Sequence, residues 1–352
     1  MWRQRPQNIL AIVSECIVLC NRDFTVQNQE TSSTPPLFRS YSSYLRGKYG
    51  ETTYRIGVDA GFSCPHRSTD GLEGGCFFCD EYGSRSAYQR GGMPIHRAST
   101  MPQRLASVRE QIEHGAAFLQ KRYGADSFIL YYQAFSSTFG AIHDLRRLYD
   151  HGLAALPFRE LVVSTRPDCL DGDIVALLKS YRSETFDVWI ELGLQTASDG
   201  TLVRINRGHT VSQFESAYNL IRSARLKAAV HLVFGLPGEG MREIMNTVSF
   251  ISQLHPHGLK IHDLHVPKNS VLFSELCGGE LSLATRDRHI EYVISALERL
   301  PSDIIMMRFT CDTPDRTRGF PRRVSSKAKI YDELQSRMRR RETWQGRLVN
   351  PY

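Results

Sequence analysis

Three cysteines lie close together in one polar segment of the chain, CPHRSTDGLEGGCFFC, which covers residues 64–79. Cys64, Cys76 and Cys79 have the spacing C-x11-C-x2-C, and His66 lies two residues after the first of them. Thiolates are soft ligands that select zinc, copper or iron–sulfur clusters. Because the segment is too polar to form core, the three thiols indicate a metal centre.

Two kinds of metal centre fit these ligands. A structural zinc site would use the three thiolates and His66, since such sites are closed by four ligands. A 4Fe–4S cluster on three thiolates would leave one iron open, whereas clusters that only carry electrons are usually closed by four. An open iron can bind a small molecule, so the second alternative predicts an enzyme. A disulfide with one thiol left over is less favoured, because the scattered remaining cysteines fit a reducing cytoplasm.

The cysteine segment follows a short β-type run, and strands then alternate regularly with amphipathic helical segments. The predicted strands are residues 54–60, 127–135, 160–165, 186–195, 227–237 and 259–266. Such alternation predicts parallel βαβ units with right-handed crossovers. We therefore expect an α/β fold in which a partial (β/α)6 barrel of the TIM type precedes a C-terminal α+β appendage.

The chain is predicted to have three parts. Residues 1–40 form a poorly ordered extension, residues 41–280 the barrel, and residues 281–352 a basic appendage that contains a strand-like run at 303–310. In barrels of this type the chemistry lies at the carboxyl ends of the strands. Polar or glycine-containing segments follow the strands as this requires, namely the cysteine segment, YQAFSST, STRPD, ELGLQ and FGLPGE.

The charge of the 352-residue chain is +7 overall and is concentrated near its end. Residues 316–347 contain 11 Lys or Arg against 3 Asp or Glu, an excess of +8. This segment either attracts a polyanion such as nucleic acid or is the solvated face of a basic helix. The longest apolar run, residues 9–20, is shorter than the roughly 20 residues that span a bilayer. We expect a cytoplasmic protein with no membrane partner.

The cysteine segment resembles that of the radical S-adenosylmethionine (SAM) superfamily, with an aromatic residue, Phe78, just before the last cysteine. The first gap in that superfamily is usually shorter than the eleven residues found here. The long gap is similar to the branch that includes the radical-SAM domain of the Elongator catalytic subunit, and within it to the YhcC-like proteins. The segments GVDAGFSCPHR, TRPDCL, ELGLQTASDGTLVRINRGHT and HLVFGLPGE carry the same resemblance, which covers residues 40–350.

The resemblance implies two cofactors, a 4Fe–4S cluster on Cys64, Cys76 and Cys79 and SAM at its open iron. In the family, one electron cleaves SAM to a 5′-deoxyadenosyl radical, which removes a hydrogen atom from the substrate. An electron donor such as flavodoxin or ferredoxin is implied as a partner. The other implied cofactor contacts are Phe78, Gln133 for the methionyl amino group, Ser164, Thr165 and Arg166 for the ribose and carboxylate, Gln195 and Arg207 for ribose hydroxyls and carboxylate, and Gly235 to Glu239 for adenine.

The same residues also have structural interpretations. Gln133 and Gln195 would be satisfied polar residues of strands, and Arg207 would cap a helix or pair with Glu191. Tyr131 is predicted to be core.

The Elongator-like segments and the basic tail favour transfer RNA as the substrate, with a wobble uridine as the modified residue. Two alternatives stay open: a radical SAM enzyme that acts on a small molecule or a protein, and a zinc-stabilised RNA-binding protein without catalysis. Iron content and SAM cleavage distinguish the enzyme from the zinc protein. A steep salt dependence of RNA binding would favour the RNA substrate, because phosphate contacts release counterions.

Overall fold

The computed structural model describes residues 36–67, 74–79, 99–311, 319–321 and 326–349. The predicted extension over residues 1–40 lies outside the described residues except for its last few positions. Seven strands form the main sheet: β1 (Tyr54–Val58), β2 (Phe128–Tyr132), β3 (Phe158–Thr165), β4 (Asp187–Gln195), β5 (Lys227–Phe234), β6 (Gly258–Asp263) and β8 (Ile305–Arg308). A short antiparallel pair is formed by β7 (Val266–Pro267) and β9 (Gly319–Phe320).

Helices connect the strands of the main sheet. They are α1 (Tyr41–Tyr49), α2 (Met101–Tyr123), α3 (Ile142–Leu153), α4 (Gly172–Ser180), α5 (Asp199–Arg204), α6 (Val211–Ser223), α7 (Met241–Leu254), α8 (Val271–Gly278), α9 (Arg286–Arg299) and α10 (Lys327–Arg340). Local sequence sets several of their starts. Helix α6, for example, begins at a capping box in which Thr210 and Gln213 exchange side-chain and backbone hydrogen bonds.

The order of strands in the main sheet is β1-β2-β3-β4-β5-β6-β8, and every neighbouring pair is parallel. The predicted partial barrel is therefore confirmed, with one strand more than the six expected. The run at residues 303–310, which the sequence analysis assigns to the appendage, forms β8 and pairs with β6, where Leu259 lies opposite Met306.

The two faces of the sheet have different neighbours. Its outer face packs against the helices in the main core, and its inner face encloses a smaller apolar group. Helix α1 closes the barrel at the amino ends of the strands, where the rings of Tyr41 and Tyr44 meet Trp189 edge-on at 6.2 and 5.9 Å. The carboxyl ends are therefore the open side on which a site can form.

Helix α10 packs against α9 on the outside of the barrel. None of the helices in the described ranges is long and apolar enough to cross a membrane.

Candidate functional site

The cysteine segment leaves the carboxyl end of β1 and is held by short backbone turns. The N–H of Cys79 donates to the carbonyl of Cys76 at 2.9 Å, and the N–H of Gly75 donates to the carbonyl of His66 at 2.6 Å. Gly74 has a φ of 79°. A Cβ atom there would lie 2.5 Å from the His66 carbonyl oxygen, so this turn requires glycine.

The second part of the segment is attached to the opposite side of the barrel mouth. The N–H of Phe77 donates to the carbonyl of Ile205 at 3.0 Å, and its carbonyl accepts from the N–H of Leu272 at 3.3 Å. Phe77 and Phe78 pack against a buried apolar group that includes Val233 beside them at the end of β5. The CFFC turn is therefore fixed over the carboxyl ends of the strands, as the sequence predicts.

Two buried arginines surround Cys76. Arg207 Nη1 lies 3.4 Å and Arg166 Nη1 lies 3.7 Å from Cys76 Sγ, and the two residues are only 7% and 3% exposed. Although burial lowers the pKa of Arg166, its hydrogen bonds to Asp168 and the nearby sulfurs of Cys64 and Cys76 raise it overall. Both guanidinium groups therefore direct N–H donors toward Cys76 Sγ.

His66 is directed to a carboxylate. Its Nε2 lies 3.2 Å from Asp168 Oδ2, and Arg166 Nε lies 2.8 Å from the other oxygen of that carboxylate. Burial raises the pKa of Asp168, but Arg166 and His66 lower it more, so the group is ionised. The described residues contain no group of three or more His, Cys, Asp or Glu side chains arranged around one metal ion.

The residues that follow β2 and β3 meet at the mouth. Thr165 is buried, and its hydroxyl lies 2.5 Å from the Thr138 hydroxyl and 3.1 Å from that of Ser136. Ser164 and Gln133 are half-buried, and the Gln133 N–H donates to the carbonyl that ends β1 at 3.3 Å. Thr165 thus supports neighbouring loops, whereas Ser164 and Gln133 present part of their surface at the mouth.

The end of β4 is irregular where the ELGLQ segment approaches Arg207. Gln195 has a φ of 78° and follows a bulge in the pairing of β4 with β5. Arg207 Nη2 donates to the carbonyl of Gly193 at 2.8 Å, and its Nε lies 3.0 Å from His209 Nε2. Burial and the charge of Arg207 lower the pKa of His209 to about 4, so this ring is a neutral partner. These contacts, and none to Glu191 among the described residues, hold Arg207 at Cys76.

A cavity of about 660 Å³ lies beside the FGLPGE turn after β5. Its lining includes Gly235, Glu239, Arg204, Leu283 and Arg288. Glu239 Oε1 accepts from the Thr196 hydroxyl at 2.6 Å, and burial raises the pKa of this carboxyl. The turn is therefore tied to the loop after β4.

Below the mouth, the inner face of the barrel carries a group of polar side chains that the sequence analysis did not find. Glu191 is fully buried and accepts from Arg55 Nη1 at 2.6 Å, Tyr131 Oη at 2.6 Å and His231 Nε2 at 2.9 Å. Lys260 Nζ donates to the same carboxylate. We call Glu191, Arg55, Tyr131, His231 and Lys260 the inner polar cluster.

Burial and the single carboxylate of the inner polar cluster determine the pKa values of its members. Burial raises the pKa of Glu191, but Lys260 and Arg55 lower it far more, so the group is ionised. Burial lowers the pKa of Lys260 to about 7 although Glu191 opposes the shift. Arg55 lies between two aromatic rings, with Cζ 4.4 Å from the centroid of Tyr41 and 4.9 Å from that of Tyr131. The Nε and Nη2 atoms of Arg55 have no hydrogen-bond partner among the described residues. The cation–π contacts with the two rings stabilise this part of the guanidinium group instead.

Cys169 is buried close to the mouth. Burial raises its pKa to about 12, which keeps it a neutral thiol.

The basic residues of the last helix are partly committed to ion pairs. Arg337 lies 2.6 Å from Asp287, 3.1 Å from Glu291 and 2.6 Å from Glu333, and Arg341 lies 2.7 Å from Glu291. Arginines 316, 318, 322 and 323 of the predicted basic tail lie outside the described residues. Part of the positive excess therefore attaches α10 to α9.

The direction of α10 carries the later basic residues away from the mouth. Near its start, the Tyr331 hydroxyl accepts from the N–H of Phe309, just after the carboxyl end of β8. Beyond its end, Gln345 Nε2 donates to the carbonyl of Ile304 at 2.9 Å, just before the amino end of β8. Residues 343–347 therefore lie toward the end of the barrel opposite the cysteines.

Comparisons with known proteins agree with this architecture. A family model described as the Radical SAM superfamily matches residues 66–251, and one described as the Radical_SAM C-terminal domain matches residues 256–340. Protein YhcC of Escherichia coli (strain K12) is 32% identical over 277 residues, which cover 78% of this chain and 83% of that protein.

Two further similarities are to a transfer RNA enzyme and to an Elp3 protein. The tRNA uridine(34) acetyltransferase of Methanocaldococcus jannaschii is 28% identical over 158 residues, which cover 44% of this chain and 28% of that protein. The structure of Elp3 from Methanocaldococcus infernus with an N-terminal deletion aligns with a TM-score of 0.61 and 20% identity, over 68% of this chain and 60% of that one. The two chains therefore share a fold over the aligned region.

Proposed function

Because the chain belongs to the radical SAM superfamily, whose members are enzymes that use a 4Fe–4S cluster and SAM, we propose that Cys64, Cys76 and Cys79 are its cluster ligands. When bound to these cysteines, the cluster would supply the one-electron chemistry that the cleavage of SAM requires. The chain itself orients the cofactors and excludes water from the barrel.

The observation that carries this proposal is the position of Cys76 between two buried guanidinium groups at the barrel mouth. A cluster on three thiolates is anionic, and N–H donors directed at its sulfurs stabilise that charge. Arg166 and Arg207 supply such donors, at 3.7 and 3.4 Å from Cys76 Sγ.

The proposed SAM contacts fall into two groups: side chains that are partly exposed at the mouth, and side chains that already make structural hydrogen bonds. Ser164 and Gln133 are half-buried at the mouth and can meet the methionyl end and ribose of SAM. Thr165 bonds to the loop after β2, and Arg207 bonds to Cys76. Gln195 is the last residue of β4 and lies beside Arg207. The remaining proposed contacts are Phe78 near the cluster, Arg166 beside Cys76, and Gly235 and Glu239 at the adenine end.

An electron paramagnetic resonance experiment tests this proposal. The full chain is loaded with iron and sulfide without oxygen, reduced with dithionite, and measured with and without SAM. We expect a cluster signal whose g values change when SAM binds the open iron. Cys76→Ala should lose the signal, and the matched control Cys277→Ala, at an exposed cysteine, should keep it. A colourless wild type that holds one zinc per chain would contradict the proposal.

We further propose that the substrate is a transfer RNA uridine and that flavodoxin or ferredoxin supplies the electron. Support for the RNA comes from the similarity to a tRNA uridine(34) acetyltransferase over 158 residues and from the charge excess near the end of the chain. Since residues 343–347 lie toward the far end of the barrel, an RNA in contact with both this segment and the mouth must extend along the outside of the barrel. A folded RNA is large enough to do so.

The ion pairs of Arg337 and Arg341 favour a second candidate, an enzyme whose substrate is a small molecule or a protein. Mass spectrometry of transfer RNA nucleosides from a strain that lacks the protein separates the two candidates. We expect one modified uridine to disappear and to return on complementation. An unchanged nucleoside profile would exclude the RNA substrate and leave the second candidate.

A further inference from the structure

On the inner face of the barrel, apolar side chains give way to polar ones two residues further along three of the strands. Ile129, Trp189 and Ala229 belong to the apolar inner group that α1 covers. Two residues further along the same strands, on the same face, lie Tyr131, Glu191 and His231 of the inner polar cluster. Apolar side chains therefore fill the barrel near the end that α1 covers, and charged side chains lie nearer its mouth.

Burying the charged groups of the inner polar cluster costs free energy of folding. Buried charges lose hydration, and replacing a buried ion pair with apolar residues of similar volume is often neutral or stabilising. The neighbouring apolar group shows that this barrel can be filled with apolar side chains. A contribution to stability therefore does not account for Glu191 and Lys260.

The geometry assigns a definite hydrogen-bonding state to His231. The fully buried, ionised Glu191 can only accept, so the Nε2 atom of His231, at 2.9 Å, carries the proton. In the neutral ring the other nitrogen, Nδ1, is then an acceptor, and no described residue donates to it in a hydrogen bond of the structure. About 17% of the His231 side chain is exposed.

His231 is also connected to the cysteines through one strand pair. It lies opposite Gly193 in the pairing of β4 with β5. The Gly193 carbonyl accepts from Arg207, whose other terminal nitrogen lies 3.4 Å from Cys76 Sγ. His231 is therefore attached to the same strand pair that holds Arg207 beside Cys76.

We propose that His231 is an acid–base residue of this enzyme and that Glu191 and Lys260 are its positioning residues. The inference deepens the proposed function and rests on it. A substrate N–H, O–H or activated C–H bond breaks, its electron pair stays on the substrate, and the proton binds His231 Nδ1. The Nε2 proton stays on the ring, Glu191 balances the imidazolium charge, and the proton then leaves to water through the mouth. No oxidant or reductant is consumed in this step.

The groups around His231 explain why the ring starts in its neutral form. Burial and the charge of Lys260 lower its pKa to about 4, while Glu191 opposes them. Arg308 on β8 lowers it further. His262 on β6, whose ring centroid is 5.7 Å away, is neutral because burial and Arg308 hold its pKa far below its usual value. From the remaining strands, Tyr131 and Arg55 face Glu191.

Nitrogen NMR of the full chain labelled with ¹⁵N-histidine tests the geometry without any enzyme assay. At pH 7 we expect His231 to carry its proton on Nε2 and to titrate near pH 4. Lys260→Met should raise the titration midpoint, because a positive neighbour is removed. Glu191→Gln should abolish the preference for the Nε2 proton, an effect that a merely space-filling residue would not have. A proton on Nδ1 of the neutral ring would overturn the proposal.

The catalytic role is tested with His231→Gln in a strain that lacks the chromosomal copy, with transfer RNA nucleosides as the readout. We expect the modified uridine to form about 100-fold more slowly or not at all. The matched control is His255→Gln, which removes an exposed histidine paired with Asp303 at 2.8 Å on the outside of the barrel. Normal modification by His231→Gln would overturn the inference. If wild-type protein releases no 5′-deoxyadenosine from SAM, the proposed function itself fails, and the NMR results still decide the His231 geometry.

Discussion

Replacing Gly193 with alanine perturbs the proposed site without removing any of its side chains. A Cβ atom on residue 193 would lie 2.6 Å from Arg207 Nη2 and 2.7 Å from Gln195 Nε2, closer than real Cβ contacts. The two side chains must therefore move. Arg207 is only 7% exposed and has little room, so its movement breaks the hydrogen bond to the Gly193 carbonyl and displaces its contact with Cys76.

The expected magnitude follows from the bonds that are lost. A hydrogen bond made by a charged group contributes about 1.5–3 kcal/mol, and one such bond, Arg207 to the Gly193 carbonyl, is broken outright. We therefore expect Gly193→Ala to lower the free energy of unfolding by about 2 kcal/mol. The rate of SAM cleavage should fall by about tenfold or more, because the cluster ligand Cys76 loses one of its two N–H donors.

Guanidinium denaturation and 5′-deoxyadenosine release measure the two effects. The matched control is Gly47→Ala in α1, where nothing lies within 4 Å of the new Cβ and alanine favours the helix. This control should be as stable as wild type or more stable, with unchanged SAM cleavage. If Gly193→Ala behaves like Gly47→Ala in both assays, our description of the contact between Gly193 and Arg207 is wrong.

Further predictions concern pH and the last helix. His289 is buried, lies 2.6 Å from the Phe309 carbonyl, and has its pKa lowered to about 4 by burial. The folded state therefore keeps this ring neutral, whereas the unfolded state binds a proton below about pH 6.5. The free energy of unfolding should consequently fall by about 3 kcal/mol as the pH falls from about 6.5 to 4. His289→Gln should show a shallower fall in urea titrations across this range; an identical slope would contradict the assignment. Arg337→Ala should cost about 1–2 kcal/mol at low salt and less at high salt, because three carboxylates lose their partner. Arg340→Ala, at an exposed position, should change stability by less than about 0.5 kcal/mol, and equal losses for the two variants would contradict the importance of the Arg337 network.

Much of the fold could be predicted because each parallel strand is buried on both faces and is therefore a short apolar run between helices. Residues 186–195 and 160–165, for example, correspond closely to β4 and β3. The place of the seventh strand in the sheet depends on pairing with β6 across more than forty residues. Local sequence carries no information about such a pairing.

The site was predictable where one segment carries the signal and unpredictable where several strands must converge. The cysteine segment is contiguous, so its metal-binding character is readable from spacing. Glu191, His231 and Lys260 come from three strands, and only the curvature of the sheet brings them together. Tyr131 was expected to be core, and it is buried, but its hydroxyl bonds to Glu191. Polar residues at inward positions of successive strands were the available signal.

The most direct test of the central claim is the release of 5′-deoxyadenosine from SAM by the full chain. The protein is loaded with iron and sulfide in the absence of oxygen, reduced with dithionite, and analysed by liquid chromatography and mass spectrometry. Our account predicts about four iron atoms per chain and steady release of 5′-deoxyadenosine and methionine by wild type, with none from Cys64→Ala, Cys76→Ala or Cys79→Ala. A wild type that holds the cluster but releases no 5′-deoxyadenosine, or a cysteine variant that releases as much as wild type, would contradict it.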